Sequence, residues 1–466
     1  MNLTDNLNTF KNVGFISTRF AGTDGVSLEA NKWADFFSAN GSECFWFAGL
    51  IECDCGRCLH VPEAHFKHEK NQRINSKIWG QTTRSPETTL AIQDLSAFLK
   101  QRLLTFIRDF EIDLLIAENV LAIPMHVPLG IALTEIIAET QIPTIAHHHD
   151  FYWERERYLV NAVNDYLSMA FPPTLPNLTH VVINSEIQKE LGLRTGIAAT
   201  VIPNVLDFAN PPKTDPDKTR ALRKAVGLEA DDHMILQPTR VIKRKGIEHA
   251  VELVSRLNDS RYKLVISHES GDEGDQYANW LKELAVARGV DLLLVADCFS
   301  DPWDNHNGNG HKFSLWDIYA QADFVTFPSL QEGFGNAFLE AVYFKKPLLV
   351  NRYATFVKDI EPLGFDVTTM DGYLGAEALK QVKEILASPL RRKQMVSTNY
   401  QLASRYFSYE VLGERLSRIL LNLRDHMPLQ FTMPGAVGTT SAGQTAFSIL
   451  KPVAGFNPAR ALYRRR

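Results

Sequence analysis

The chain has 466 residues, 45% of them hydrophobic and 22% charged, a globular composition with enough apolar material for two or three domains. A formal net charge of -5 argues against general affinity for nucleic acid or anionic membranes, and no apolar run reaches the ~18 residues of a spanning helix. Met1–Phe10 is polar with no signal-like pattern, and five cysteines, an odd number, suit a reducing compartment, so the expected location is the cytoplasm.

Val13–Ser17 is the first strand-like run and Gly41–Phe47 leads into a second. Asp113–Ala117, Pro143–His147 and His180–Asn184 follow, separated by helical patterns such as Leu95–Phe110 and Leu129–Thr140. This alternation predicts a parallel sheet flanked by helices. After Thr200–Ile202 the composition becomes rich in Pro, Asp and Lys through Pro211–Lys218, the signature of a linker or surface loop. The series then restarts with Met234–Gln237, Lys263–Ser267, Asp291–Val295, Phe324–Phe327 and Leu348–Asn351, separated by Gly246–Leu257, Asp275–Arg288 and other helical stretches. The chain reads as two Rossmann-like, doubly wound α/β domains, residues 1–205 and 206–400. A helical segment at 401–427 contains the amphipathic Gln401–Leu423, as one helix or a pair. Residues 428–466 have the composition of a flexible tail ending in Arg464-Arg465-Arg466, and a solvated end is favoured over docking on an acidic lipid or partner.

Pro328–Glu340 follows an apolar strand and opens a helix, where ligands bind in open α/β sheets. Gly333 and Gly335 permit a tight turn and close backbone approach, and free N–H groups at the helix start can hold a diphosphate. Glu332 and Glu340 flank the turn, placed to accept hydrogen bonds from sugar and ribose hydroxyls. A bare glycine turn with two surface glutamates would have the same composition. Thr239–Gly246 follows the strand Met234–Gln237 and carries four cations, of which Arg240 and Lys245 are suited to a diphosphate. Taken alone, such a run is more often a solvated face.

Ser17–Leu28 follows the first strand as a third loop, with Gly25 as its backbone candidate and Asp24 as an acceptor-side one. It lacks the Gly-x-Gly-x-x-Gly fingerprint, which argues against a nicotinamide enzyme. His147-His148-His149-Asp150 closes a strand, and three successive side chains on a strand cannot share a face. Metal binding there is weighed against a polar strand end capped by Asp150, and the latter is favoured. In Phe151–Tyr158, Trp153 offers a sugar-stacking face and Arg155 or Arg157 a partner for an anionic acceptor, while an amphipathic helix start with intrahelical Glu–Arg pairs fits equally well. Cys53-x-Cys55-x2-Cys58-x-His60 is tighter than paired zinc spacing and reads as loop thiols, and the polar insertion Asp301–His311 has no legible chemistry.

The glutamate segment resembles the Glu-x7-Glu motif of retaining glycosyltransferases of the two-Rossmann-domain (GT-B) type, especially glycosyltransferase family 4. Thr239–Gly246 is similar to that family's Gly-Arg-Leu-x3-Lys-Gly pattern, with Thr239 in place of the usual glycine. The resemblance runs from about Val13 to Leu423 and implies two Rossmann-like domains facing a cleft. It implies that Glu332 contacts the donor hexose, that Glu340 contacts the ribose, and that Phe334, Gly335 and Asn336 help hold phosphate and hexose. It places Gly25 opposite the donor and aligns His149 with a histidine near the reaction centre, with His147 as second choice. The acceptor then enters near His149 and Trp153, with Asp24, Asp150, Arg155 and Arg157 as further acceptor-side candidates.

The expected reaction is hexosyl transfer, glucose or mannose, from a nucleoside diphosphate sugar to a hydroxyl of a small or lipid-free acceptor with retained anomeric configuration. Arg240 and Lys245 stabilise the departing diphosphate, so neither metal nor cofactor is expected. A sugar-nucleotide epimerase on the same architecture and a non-catalytic sugar-nucleotide-binding protein are the rival readings.

Overall fold

The computed structural model describes residues 10–22, 25–52, 56–211, 215–269, 274–299 and 313–425. Asp24, Cys53, Cys55, the insertion 301–311 (with Ser300 and Lys312) and the tail 428–466 lie outside the described residues. As expected, two parallel sheets carry the fold. The first has seven strands: β1 (Asn12–Ile16), β2 (Glu43–Ala48), β3 (Cys58–His60), β4 (Leu114–Glu118), β5 (Thr144–His148), β6 (Leu178–Val182) and β7 (Ala199–Val201), in the order β3-β2-β1-β4-β5-β6-β7. The second has six: β8 (His233–Gln237), β9 (Tyr262–Ile266), β10 (Leu292–Leu294), β11 (Phe324–Phe327), β12 (Leu348–Asn351) and β13 (Thr368–Met370), in the order β10-β9-β8-β11-β12-β13. β4, β5, β11 and β12 are buried along their whole length, as strands covered on both faces must be.

The order of each sheet reverses at one place, between β1 and β4 and again between β8 and β11. Loops diverge there to opposite faces and leave a crevice at the carboxyl ends. The segments opening on these two crevices are those following β1, β4, β8 and β11, and they hold most of the candidate residues.

β3 and β13 were not anticipated: each has three residues and, unlike the equally short edge strands β7 and β10, no apolar run to mark it. The Pro-rich stretch at the domain junction contains a helix start: the Asp215 side chain accepts from Asp217 N and Lys218 N and caps Pro216–Ala225. The C-terminal amphipathic segment is a pair of helices, Pro389–Tyr406 and Tyr409–Asp425. The chain breaks between them to bury Phe407, whose carbonyl accepts from Leu206 N at 3.0 Å. Leu412, Leu416, Ile419, Leu420 and Leu423 form one stripe of the last helix and join Phe10, Val13, Phe15 and Trp33 in the core of the first sheet. Among the described residues no helix is long and apolar enough to cross a membrane.

Candidate active site

The turn after β11 is shaped by its glycines and by one tyrosine. Gly335 has φ 114° and ψ 60° and starts the helix Asn336–Tyr343. A Cβ on Gly335 would lie 2.3 Å from Tyr353 Oη, which donates to Phe334 O at 2.8 Å. Thr355 Oγ1 lies 3.2 Å from both Glu332 O and Gly333 O, and Asn351 Nδ2 donates to Ser329 O at 3.0 Å. The loop's carbonyls are thus met by side chains from the β12 end.

The basic turn after β8 docks on this loop. Gly246 has φ 58°, and a Cβ there would meet Pro328 O at 2.6 Å, so only a glycine lets the two turns touch. Leu330 N donates to Arg244 O at 2.9 Å, and Arg244 Nη1 to Gln331 O at 3.2 Å. Lys245 Nζ is bonded to Glu332 Oε1, both side chains being largely buried, and Arg244 Nη1 stands 3.8 Å from Glu332 Oε2. Burial pushes the Lys245 pKa down; Glu332 opposes this, and Arg244 and Arg240 add to it. Arg240 is exposed. Thr239, which stands where the family pattern has glycine, is buried and its hydroxyl accepts from Gln237 Nε2 at 2.8 Å. Gln237 Oε1 in turn accepts from Thr326 Oγ1 at 2.7 Å, so the extra side chain is absorbed behind the turn.

Glu340 accepts from Tyr319 Oη at 2.5 Å. Burial raises its pKa, and the Tyr319 hydroxyl and Lys32 of the first domain pull it back. The first domain approaches at further places. Asn184 Nδ2 donates to Gly333 O at 2.6 Å, Asn204 Nδ2 donates to Asn336 Oδ1 at 2.6 Å, and a Cβ on Gly25 would lie 3.7 Å from Asn336 Nδ2. A Cβ on Gly333 would come within 3.3 Å of His149 O. Arg240 and Lys245 thus lie on the turn after β8, Glu332, Gly333, Phe334, Gly335, Asn336 and Glu340 on the turn and helix after β11, and Gly25 and His149 on first-domain segments after β1 and β5 that approach that turn.

The histidine run splits by face. His147 and His149 turn towards the fully buried Glu118, with His147 Nδ1 3.0 Å and His149 Nε2 3.6 Å from Glu118 Oε2. His148 points to the opposite side and meets His180 Nδ1 at 2.9 Å. The loop behind them is held by Asn119, which has φ 56°, accepts from His149 N at 3.0 Å and donates to Asp150 Oδ1 at 2.9 Å.

The acceptor-side candidates are more occupied than expected. Asp150 is bonded by Arg155, so this arginine pairs with the aspartate before it and not with a helical glutamate. The segment forms two single 3₁₀ turns, Tyr152–Glu154 and Glu156–Tyr158, in place of a helix start. Trp153 stacks on Phe151 at 4.5 Å with Arg194 over its ring, and Arg157 covers Tyr158. The loops after β1 and β3 add cations that sequence reasoning passed over: Arg19 and Lys67 both lie over the Phe66 ring, at 5.6 and 5.8 Å. Burial first, then Arg19, Lys67, His68 and His60, pushes the His65 pKa down. Cys58 and His60 lie on β3, with His60 Nε2 2.9 Å from Gly49 O.

Glu118, Asn119, Asn184, Asn204, Tyr319 and Tyr353 escaped the sequence reading. Only Asn184 carried a local signal, as an N-cap residue between a strand and a helix; its Oδ1 accepts from Ile187 N at 2.7 Å.

Two Rossmann-like sheets joined by a crossing C-terminal helix, with a Glu-x7-Glu turn docked on a basic turn, define a glycosyltransferase of the GT-B type. The chain belongs to the family of the mannosylglucosylglycerate synthases. It is 31% identical over 443 residues to the mannosylglucosylglycerate synthase of Petrotoga mobilis, covering 88% of this chain and 96% of that one. It is 30% identical over 435 residues to the mannosylglucosylglycerate synthase of Thermotoga maritima, covering 85% and 97%. The fold matches a crystal structure of a glycosyltransferase from Rickettsia africae with a TM-score of 0.63 at 14% identity, over 90% of this chain and 100% of that one. No protein-family model matches the chain. The protein is thus an enzyme of the transferase type, and the family-4 resemblance of its motifs is consistent with these relatives.

Proposed function

We propose that this enzyme transfers a mannosyl group from a nucleoside diphosphate sugar to a hydroxyl of a small glycosylated hydroxy acid, with retention of configuration. The observation that carries the reading is the Lys245–Glu332 pair, which ties the turn after β8 to a loop that the first domain touches through Asn184, Asn204 and His149. A diphosphate held on the N–H groups of the 333–336 turn would have Arg240 and Lys245 beside its leaving oxygen, where negative charge grows as the glycosidic bond breaks. Glu332 would accept from the hexose hydroxyls and Glu340 from the ribose. The leaving phosphate oxygen would take the acceptor proton on the face it vacates, so no protein nucleophile is needed. Two cations stand at the diphosphate, and we assign no metal to that position.

The acceptor class rests on two supports. The relatives' names contain glycerate, a carboxylate. The loops at the carboxyl ends of β1 and β3 carry Arg19, Lys67 and His68 around His65, a setting suited to an anion. Incubation with nucleoside diphosphate mannoses and glucoses, with and without glucosylglycerate, tests the reading by diphosphate release and by NMR of the product's anomeric proton. Acceptor-dependent release with the donor's anomeric configuration preserved is expected. Donor binding without turnover would favour the binding-protein alternative, and an epimerised sugar nucleotide would favour the epimerase.

A further inference from the structure

We infer that Glu118, His147 and His149 form a binding site for one divalent transition-metal ion of the zinc type on the first domain. β4 and β5 are adjacent and parallel, with Glu118 opposite His147 in the register. His147 and His149 are two residues apart, so both rings leave the strand end on the face that Glu118 occupies. One ligand atom from each of the three lies within 4.8 Å of the other two. The carboxylate-to-imidazole distances, 3.0 and 3.6 Å, bracket the separation of about 3.4 Å between ligand atoms on the edge of a tetrahedral zinc site.

Hydrogen bonding leaves this group incomplete. At 3.6 Å His149 Nε2 is too far from Glu118 for a hydrogen bond, and it is buried with no other partner among the described residues. Glu118 is fully buried, and His147 is the side chain within hydrogen-bonding distance of its carboxylate. A buried carboxylate and an orphaned imidazole nitrogen aimed at each other are costly unless a third group joins them. A dication does so, offsetting the carboxylate charge and taking a lone pair from each ring. Two imidazoles and one carboxylate are borderline donors suited to Zn2+ or Co2+ more than to Mg2+ or Ca2+.

The surroundings favour fixed ligands. Trp33 stacks on His147 at 4.3 Å, Ser17 Oγ donates to Glu118 O at 3.1 Å, and Asn119 holds the His149 main chain. An ion here would lock His149, whose carbonyl lies against Gly333, and would act on transfer through that wall. The position is distinct from the diphosphate turn of the second domain.

The test uses the full chain, stripped with chelator and titrated with Zn2+ and separately with Co2+. Mass spectrometry of the metal content and visible Co2+ absorption are the readouts. One ion per chain is expected, with nitrogen and oxygen coordination bands and no thiolate charge-transfer band. Glu118→Gln and His149→Asn should each weaken binding by at least ~10-fold, while Cys58→Ser leaves it unchanged. His149→Asn serves if the buried Glu118→Gln variant fails to fold. Absence of stoichiometric metal in the unmutated chain overturns the inference. So does binding that survives His149→Asn, or that shows the thiolate band and is lost in Cys58→Ser.

Discussion

Gly335→Ala puts the shape of the donor turn to a quantitative test. The backbone at φ 114° is outside the region an L-residue adopts freely, and alanine pays roughly 1–2 kcal/mol there. Its Cβ would stand 2.3 Å from Tyr353 Oη and 3.2 Å from Phe327 Cε1. Tyr353 has little room to retreat, being 2% exposed and bonded to Phe334 O. Overpacking of this kind costs about 1–3 kcal/mol. If the tyrosine is forced off its carbonyl, a buried hydrogen bond worth about 1–3 kcal/mol is lost as well. These contributions overlap, so a loss of about 3–6 kcal/mol is expected, with turnover falling because the helix start moves.

The mechanism predicts non-additivity. Tyr353→Phe alone should cost about 1–2 kcal/mol through the orphaned Phe334 carbonyl. In the double variant the clashing oxygen is gone, so Gly335→Ala should cost at least ~1.5 kcal/mol less than it does alone. Urea unfolding of the four proteins, followed by one probe, closes the cycle. Additivity within ~0.5 kcal/mol, or an unperturbed Gly335→Ala protein, would refute the steric argument.

Three further outcomes are expected. Arg240→Ala should cut turnover by about 100-fold or more at unchanged melting temperature, because Arg240 is exposed; Lys245→Ala should cut it similarly but also lower the melting temperature, since Glu332 loses its close partner. Equal melting temperatures in the two variants would contradict the buried pair. Glu332→Gln should tighten binding of a free nucleoside diphosphate, measured by calorimetry, because the Lys245 ammonium is no longer shared with a carboxylate, and should lower turnover with the full donor; diphosphate binding that weakens alongside turnover would count against this. Burial pushes the His126 pKa from 6.5 down to about 4, so the unfolded chain takes up a proton first as pH falls, and about 3 kcal/mol of stability present above pH 6.5 is lost towards pH 4. His126 Nδ1 accepts from Leu129 N at 3.2 Å at the start of the helix Val127–Thr140, so His126→Asn, which can still cap that helix, should flatten the acid slope, and parallel slopes would exclude His126 as its source.

The two sheets were legible because buried parallel strands write themselves as apolar runs, such as Leu114–Ala117 and Phe324–Phe327. Two of the four edges were not: Cys58–His60 and Thr368–Met370 are three residues each without an apolar run and owe their conformation to a neighbouring strand. The helix pair at the C-terminus could be seen as amphipathic, but its break depends on burying Phe407 against Leu206, a partner about two hundred residues away. The same holds for Tyr353 and Asn204. Each acts across a distance in sequence that no local pattern encodes, on Phe334 O and Asn336 respectively.

The basic turn shows what the fold adds to a motif. In sequence Arg240, Lys243, Arg244 and Lys245 are four similar charges. In the structure Lys245 is buried and paired with Glu332, Arg244 is spent on the Gln331 carbonyl and stands near the same carboxylate, and Arg240 and Lys243 are exposed. The turn therefore does not offer a pool of positive charge. Its buried ammonium is already balanced, so a diphosphate gains from Lys245 only as Glu332 turns towards something else. In the proposed function donor hydroxyls would be the replacement partner for that carboxylate, which would couple recognition of the sugar to stabilisation of the phosphate in one movement. A nucleoside diphosphate without its hexose cannot make that exchange. On the proposed function the Glu-x7-Glu turn would select for the intact donor as well as hold it.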